Sequence, residues 1–158
     1  MPKITPAEIQ KHRQLLEATL TRIEAVTAGQ DEAVLSYAPD KKTWSVVEVL
    51  AHLRGCADLW TYSIYAMLTE NEPTLPLIDE RNWAKTVRYA TLTFALSFQT
   101  FQLQRHDLLR VLHQLPEEAF HRSGLIGDRR HTVFSQMRRM ALHEAEHCDQ
   151  IEALFKNQ

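Results

Sequence analysis

Apolar residues recur along most of the chain at three- and four-residue intervals, the spacing that lines one face of an α-helix. Ile9, Leu15, Leu16, Leu20, Ile23 and Val26 form the first stripe. It opens at Thr5-Pro6-Ala7-Glu8, where Thr5 suits the cap, Pro6 the first helical position and Glu8 the third, with Gly29 as the predicted stop. A second helix is predicted from Ser45, with Glu48 completing a capping box, to about Thr69. At about 100° per residue, Val46, Val49, Leu50, Leu53, Trp60, Ile64 and Met67 share one broad apolar sector. His52 falls at its edge, in line with Ser45, Cys56 and Ser63. A third helix is predicted over residues 82–114, ended by Pro116. Its centre (Thr91, Thr93, Ser97, Gln99, Thr100) is weakly polar all round, which predicts packing on several sides. The fourth runs over about 132–155. Residues 30–43, 71–79 and 117–130 are the connections; the last holds Gly124 and Gly127 and has room for a short turn.

Length and composition sharpen this picture. A chain of 158 residues suits one domain, 1–158, and can bury a full core without staples. Four Gly and six Pro supply few turns, which favours long helices over many strands. The predicted fold class is all-α, a four-helix bundle. Its connections exceed the ~2–8 residues usual in bundles, so a simple up-and-down hairpin order does not follow. A net charge of −2 argues against a broad nucleic-acid surface. Two Cys make no disulfide framework, the uncharged run 89–104 is short of the ~20 apolar residues of a membrane span, and the start is not signal-like. A cytoplasmic protein with neither nucleic-acid nor membrane partner is expected.

The eight His are the compositional oddity. His143 and His147 lie four apart on the fourth helix, so both imidazoles share one face, at the edge of the sector that holds Met137, Met140 and Ile151. Two imidazoles at that spacing can bite one metal ion. Glu144 falls near the middle of the same sector and Glu146 points to solvent. The string His143-Glu144-Ala145-Glu146-His147 also reads as the zinc-protease signature. That reading needs a further ligand downstream, for which Asp149 and Glu152 are the nearest carboxylates, and only eleven residues follow His147. A di-iron carboxylate site lacks its second Glu-x-x-His motif and its extra helical Glu ligands. His52, from the second helix, is the better third ligand. A three-His set leaves a position open, as catalytic zinc sites do.

Thr43-Trp44-Ser45-Val46-Val47-Glu48-Val49-Leu50-Ala51-His52-Leu53 resembles the second-helix signature of the DinB/YfiT-like superfamily. Met140-Ala141-Leu142-His143-Glu144-Ala145-Glu146-His147-Cys148-Asp149-Gln150-Ile151 resembles its last-helix signature, and the resemblance spans nearly the whole chain. It implies a bundle with non-sequential helix packing and a divalent metal, zinc or nickel, on His52, His143 and His147. Characterised activities in the family are thiol S-transfer with bacillithiol and a mycothiol-dependent isomerisation; other members are named metal-dependent hydrolases, and homodimers are common. The function expected is a metal-dependent thiol S-transferase or hydrolase acting on a small molecule, with a low-molecular-weight thiol as a candidate co-substrate. Glu144 is the candidate catalytic base, or the group that holds a ligand imidazole N–H. The alternative is a non-catalytic helical module that binds a small ligand or partner chain, its metal site structural or vestigial. Cys56, Cys148, Trp44, Trp60, Trp83 and Tyr89 read as packing residues, Arg129-Arg130 and Arg138-Arg139 as a solvated face. His12, His106, His113, His121 and His131 read as surface or loop positions.

Overall fold

The computed structural model describes residues 3–156. Its long helices are α1 (Pro6–Thr27), α3 (Val46–Thr69), α5 (Phe94–Gln114) and α6 (Val133–Lys156); α2 (Glu32–Leu35) and α4 (Glu80–Thr86) are short. The predicted caps set the first two starts. Glu8 N donates to Thr5 Oγ1, and Gly29 follows the end of α1 at φ 74°. At α3 the box closes both ways: Glu48 N donates to Ser45 Oγ at 3.2 Å and Ser45 N donates to Glu48 Oε2 at 2.8 Å. A cap is worth ~1 kcal/mol. This one also pins the start of α3 about two turns before His52.

Helix α1 packs on α5 and α6, and α3 packs on the same two. The consecutive long helices α1 and α3 therefore face each other across a diagonal, as do α5 and α6. Short hairpin turns join neighbours, whereas the long connections here can cross the bundle. The core fills both halves. Leu16, Ile64, Met67, Leu108 and Phe134 occupy one, and Ile23, Leu50, Leu53, Phe101 and Ile151 the other. Each such burial is worth roughly 1.5–3 kcal/mol. His12, expected at the surface, is in the core. Its Nδ1 donates to Glu8 O and its ring edge meets Phe134, so the polar group is satisfied inside its own helix.

The connections carry more structure than the stripe pattern predicts. The third predicted helix is broken. α4 ends, Arg88 turns the chain at φ 60°, a single 3-10 turn covers Tyr89–Thr91, and Thr93 caps α5 afresh. Glu32 of α2 accepts from Phe94 N with both oxygens, a second anchor for that new start. Nor is α5 packed on several sides. Phe98, Phe101, Leu108, Leu109 and Leu112 are buried at helical spacing, while Leu96 and Leu103 on its other face stay exposed. Residues 117–130 hold a 3-10 turn and much of a small sheet, order β1-β2-β3, from β1 (Thr74–Leu75), β2 (Ser123–Ile126) and β3 (Arg129–Thr132). β2 and β3 pair antiparallel around Gly127-Asp128, and β1 joins β2 in parallel. Among the described residues no helix is long and apolar enough to cross a membrane.

The connection after α3 doubles back along it, and α4 docks on α3 at Gly55. A Cβ there would lie 2.8 Å from Glu80 O and 3.0 Å from the Ala84 Cβ. A mid-helix Gly costs roughly 1 kcal/mol against Ala; in return the α4 backbone comes within contact of α3, one turn from His52. Asp58 fastens the rest of the segment, accepting from Trp83 Nε1 at 3.0 Å, Tyr89 Oη at 2.6 Å and Gln104 Nε2 at 3.0 Å.

Candidate metal centre

Neighbouring helices bring the three predicted ligands together. His52 comes from α3, and His143 and His147 from successive turns of α6. The Nε2 atom of His143 lies 3.2 Å from Nε2 of His52 and 3.2 Å from Nε2 of His147. At metal–nitrogen lengths of ~2.0–2.1 Å, two ligand nitrogens stand about 3.3 Å apart in a tetrahedron and about 2.9 Å apart at right angles. The observed spacing falls between these values.

Proton placement points the same way. Gln150 Oε1 lies 2.7 Å from His147 Nδ1. The amide oxygen accepts, so the proton sits on Nδ1 and the Nε2 lone pair faces the cluster. Burial, with the neighbouring imidazoles and Arg81, pushes His52 down to about 4 and His143 down to about 3; burial also lowers His147. All three are neutral near pH 7, the form that ligates. Nε2 of His143 is either one donor or one acceptor, so without a cation it cannot pair well with the His147 lone pair and with His52 Nε2 in every tautomer of His52. A cation satisfies all three. The rings are held from outside as well: Trp44 stacks on His147 at an interplanar angle of 14°, and Trp60 meets His143 edge-on with ring centres 5.0 Å apart.

A second donor set overlaps the first. Donor atoms of His52, Cys56 and His143 all lie within 4.8 Å of one another. The Cys56 sulfur is 3.6 Å from His52 Nε2 and 3.9 Å from His52 Nδ1. An atom sharing a metal with Nε2 would lie much farther from the opposite ring nitrogen. The thiol thus packs beside the ring, and burial raises its pKa above the ordinary thiol range. A coordinating thiol would have to be deprotonated outright. The three-imidazole set needs no such step.

Glu144 is placed elsewhere. Its carboxylate pairs with the Arg105 guanidinium, both side chains 1% exposed, and not with an imidazole of the cluster. Burial pushes the Glu144 carboxyl up, and Arg105 with Thr19 pulls it back. The geometry gives it no contact that a general base at the imidazoles would need. Asp149 and Glu152 are bound to Arg22 of α1, which leaves the zinc-protease reading without its downstream ligand.

The cluster opens on two cavities. One of about 390 Å³ touches His52, His143, Trp60, Glu80, Arg81 and Arg139. The other, about 480 Å³, is lined by His52, Trp44 and residues of α4. Glu80 accepts from Trp60 Nε1 at 2.8 Å and pairs with Arg139 at 3.1 Å, tying α4 to α3 and α6 at the mouth. Sequence reasoning did not single out Glu80 or Arg81, and it left Arg139 on a solvated face. The one signal was Asp79-Glu80 after a Pro-rich stretch, an ordinary helix start. What α4 covers is a tertiary matter.

Comparison with known proteins bears on the family and the fold. The chain matches the model of the DinB superfamily over residues 15–151. Its fold is similar to that of YfiT from Bacillus subtilis, described as a probable metal-dependent hydrolase with an unusual four-helix bundle topology. The TM-score is 0.84 at 20% identity, over 99% of this chain and 91% of that one. No curated protein matches by sequence. With the family model covering most of the chain, the two signatures on their predicted helices and the diagonal bundle order, this protein belongs to the DinB superfamily.

Proposed function

We propose that the protein is a metal-dependent enzyme acting on a small molecule, with His52, His143 and His147 holding a divalent ion, zinc or nickel. The observation that carries this reading is the meeting of three neutral imidazole nitrogens at 3.2 Å steps, with His52 lining two cavities. A divalent ion there supplies positive charge that acidifies a water or a thiol and polarises an electrophile. The chain's own residues do the rest. Gln150 fixes the His147 tautomer, Trp44 and Trp60 hold two rings in place, and the cavities admit a small molecule to His52. Hydrolysis is the reaction favoured, because YfiT, similar in fold, is described as a probable metal-dependent hydrolase. Transfer of an external thiol would use the same imidazoles and is the second activity to assay. A purely structural metal fits less well, since structural sites are closed by four protein ligands.

Metal per chain, measured on untagged protein purified without chelators, tests the reading. Near one equivalent is expected, lost in His143→Ala. A chain that takes up no zinc or nickel after incubation would sink it.

A further inference from the structure

The cavity under α4 has an unbalanced charge. Arg81, Lys85 and Arg88 all line it, against the single carboxylate of Glu48. Glu48 is already engaged, accepting from Ser45 N at 2.8 Å. The other acids at the mouth are occupied too: Asp79 accepts from Asn82 N, and Glu80 holds Trp60 and Arg139. Among the described residues Arg81, Lys85 and Arg88 form no ion pair. Three cations without an ion-pair partner on one short segment, facing one lining carboxylate, stand out in a chain whose net charge is −2. Backbone strain is retained at the same rim. Arg88 sits at φ 60°, ψ 38°, a left-handed conformation unfavourable for a non-Gly residue. The remaining lining is mostly apolar, Trp44 with Ala51, Ala84 and Ala90, beside His52 and the Thr91 hydroxyl. Arg81 also lies over the Trp44 ring at 5.4 Å and lines the second cavity, so it bridges both openings to His52.

From this arrangement we propose that the substrate is a small organic oxyanion, a carboxylate or phosphate ester. Its acidic group sits on Arg81, Lys85 and Arg88, and its apolar body lies against Trp44 beside His52. Arginine forks match both oxyacids in bidentate geometry, with lysine as a point charge. The volume, about 480 Å³, is that of a small-molecule pocket. That the anion is a substrate and not merely a ligand rests on the reaction site proposed above.

The test is a titration of chelator-treated protein with phenylacetate, phenyl phosphate and the neutral phenylacetamide, followed by the Trp44 indole N–H signal in NMR. That signal is assigned with Trp44→Phe. At least one anion is expected to bind ten times or more tighter than the amide, and the tighter of the two names the oxyacid. Arg81→Gln combined with Arg88→Gln is expected to weaken anion binding at least tenfold and amide binding far less, with metal uptake retained. Both positions are exposed, and thermal unfolding confirms that the variant folds. Equal affinity for acid and amide, or full anion affinity in the double variant, would overturn the proposal. Because the protein is metal-free, anion binding by a chain that never takes up metal sinks the proposed reaction and keeps the anion site. Metal uptake with no preference for the acid does the reverse.

Discussion

Two polar clusters meet at adjacent residues of α6. His143 joins His52 and His147 at a mouth flanked by cavities. Glu144, the next residue, joins Arg105 where both side chains are 1% exposed. The first cluster consists of neutral imidazoles, with His143 Nε2 3.2 Å from Nε2 of each of the other two. The second consists of opposite charges that face each other in the core. A helix turn of about 100° per residue separates them. Desolvation then assigns their roles, leaving one open to a ligand and making the other part of the packing. A string that reads as metal ligands plus base is split into a site residue and a core residue.

The largest effect that would sharpen this contrast comes from the imidazoles. His143→Ala is expected to lower metal content from near one equivalent to under about a tenth, since it removes the proposed ligand nearest both others. Its unfolding in urea, measured metal-free, should shift little, because a half-buried ring with a partnerless Nδ1 is lost. The Arg105–Glu144 pair should behave oppositely. Glu144→Ala strands a buried guanidinium, and urea unfolding should show a loss of about 3–5 kcal/mol with metal content retained. Replacing both partners, Arg105→Met with Glu144→Leu, should restore most of it. Were Glu144→Gln to abolish turnover while leaving stability and metal intact, the division between the clusters would break.

Smaller effects probe the supports. Gln150→Ala frees the His147 ring and is expected to weaken metal binding by about 10–100-fold, read by competition with a chromogenic chelator. Gly55→Ala should cost about 1 kcal/mol net in thermal unfolding: the clash with Glu80 O exceeds the gain in helix propensity. Pushing α4 outward should also weaken phenylacetate or phenyl phosphate binding without changing metal content. An unchanged anion affinity in this variant would mean that the α4 position is not what shapes the pocket.

Much of the bundle was legible because its signals are local. Thr5 and Ser45 cap through bonds three residues away, and the apolar stripes of α1, α3 and α6 repeat within each helix. The two signatures carried His52, His143 and His147 to one site before any coordinates did. The break between α4 and α5 was not legible. It depends on Glu32 reaching Phe94 N and on Asp58 collecting Trp83, Tyr89 and Gln104, all partners distant in sequence. The sheet was missed for a similar reason. Strands of two and four residues have too few positions to show a period, and β1 finds β2 some fifty residues away.

The sequence by itself determined where helices start, which faces are apolar and which histidines share a face, because backbone geometry sets those at short range. Tertiary structure alone decided that Glu144 belongs to Arg105 and which pairs of helices lie across the diagonals of the non-sequential bundle that the resemblance implied. It also decided that Arg81, Lys85 and Arg88 stand beside His52. Those outcomes depend on which surfaces are desolvated together, and desolvation is a property of the packed chain, not of any segment.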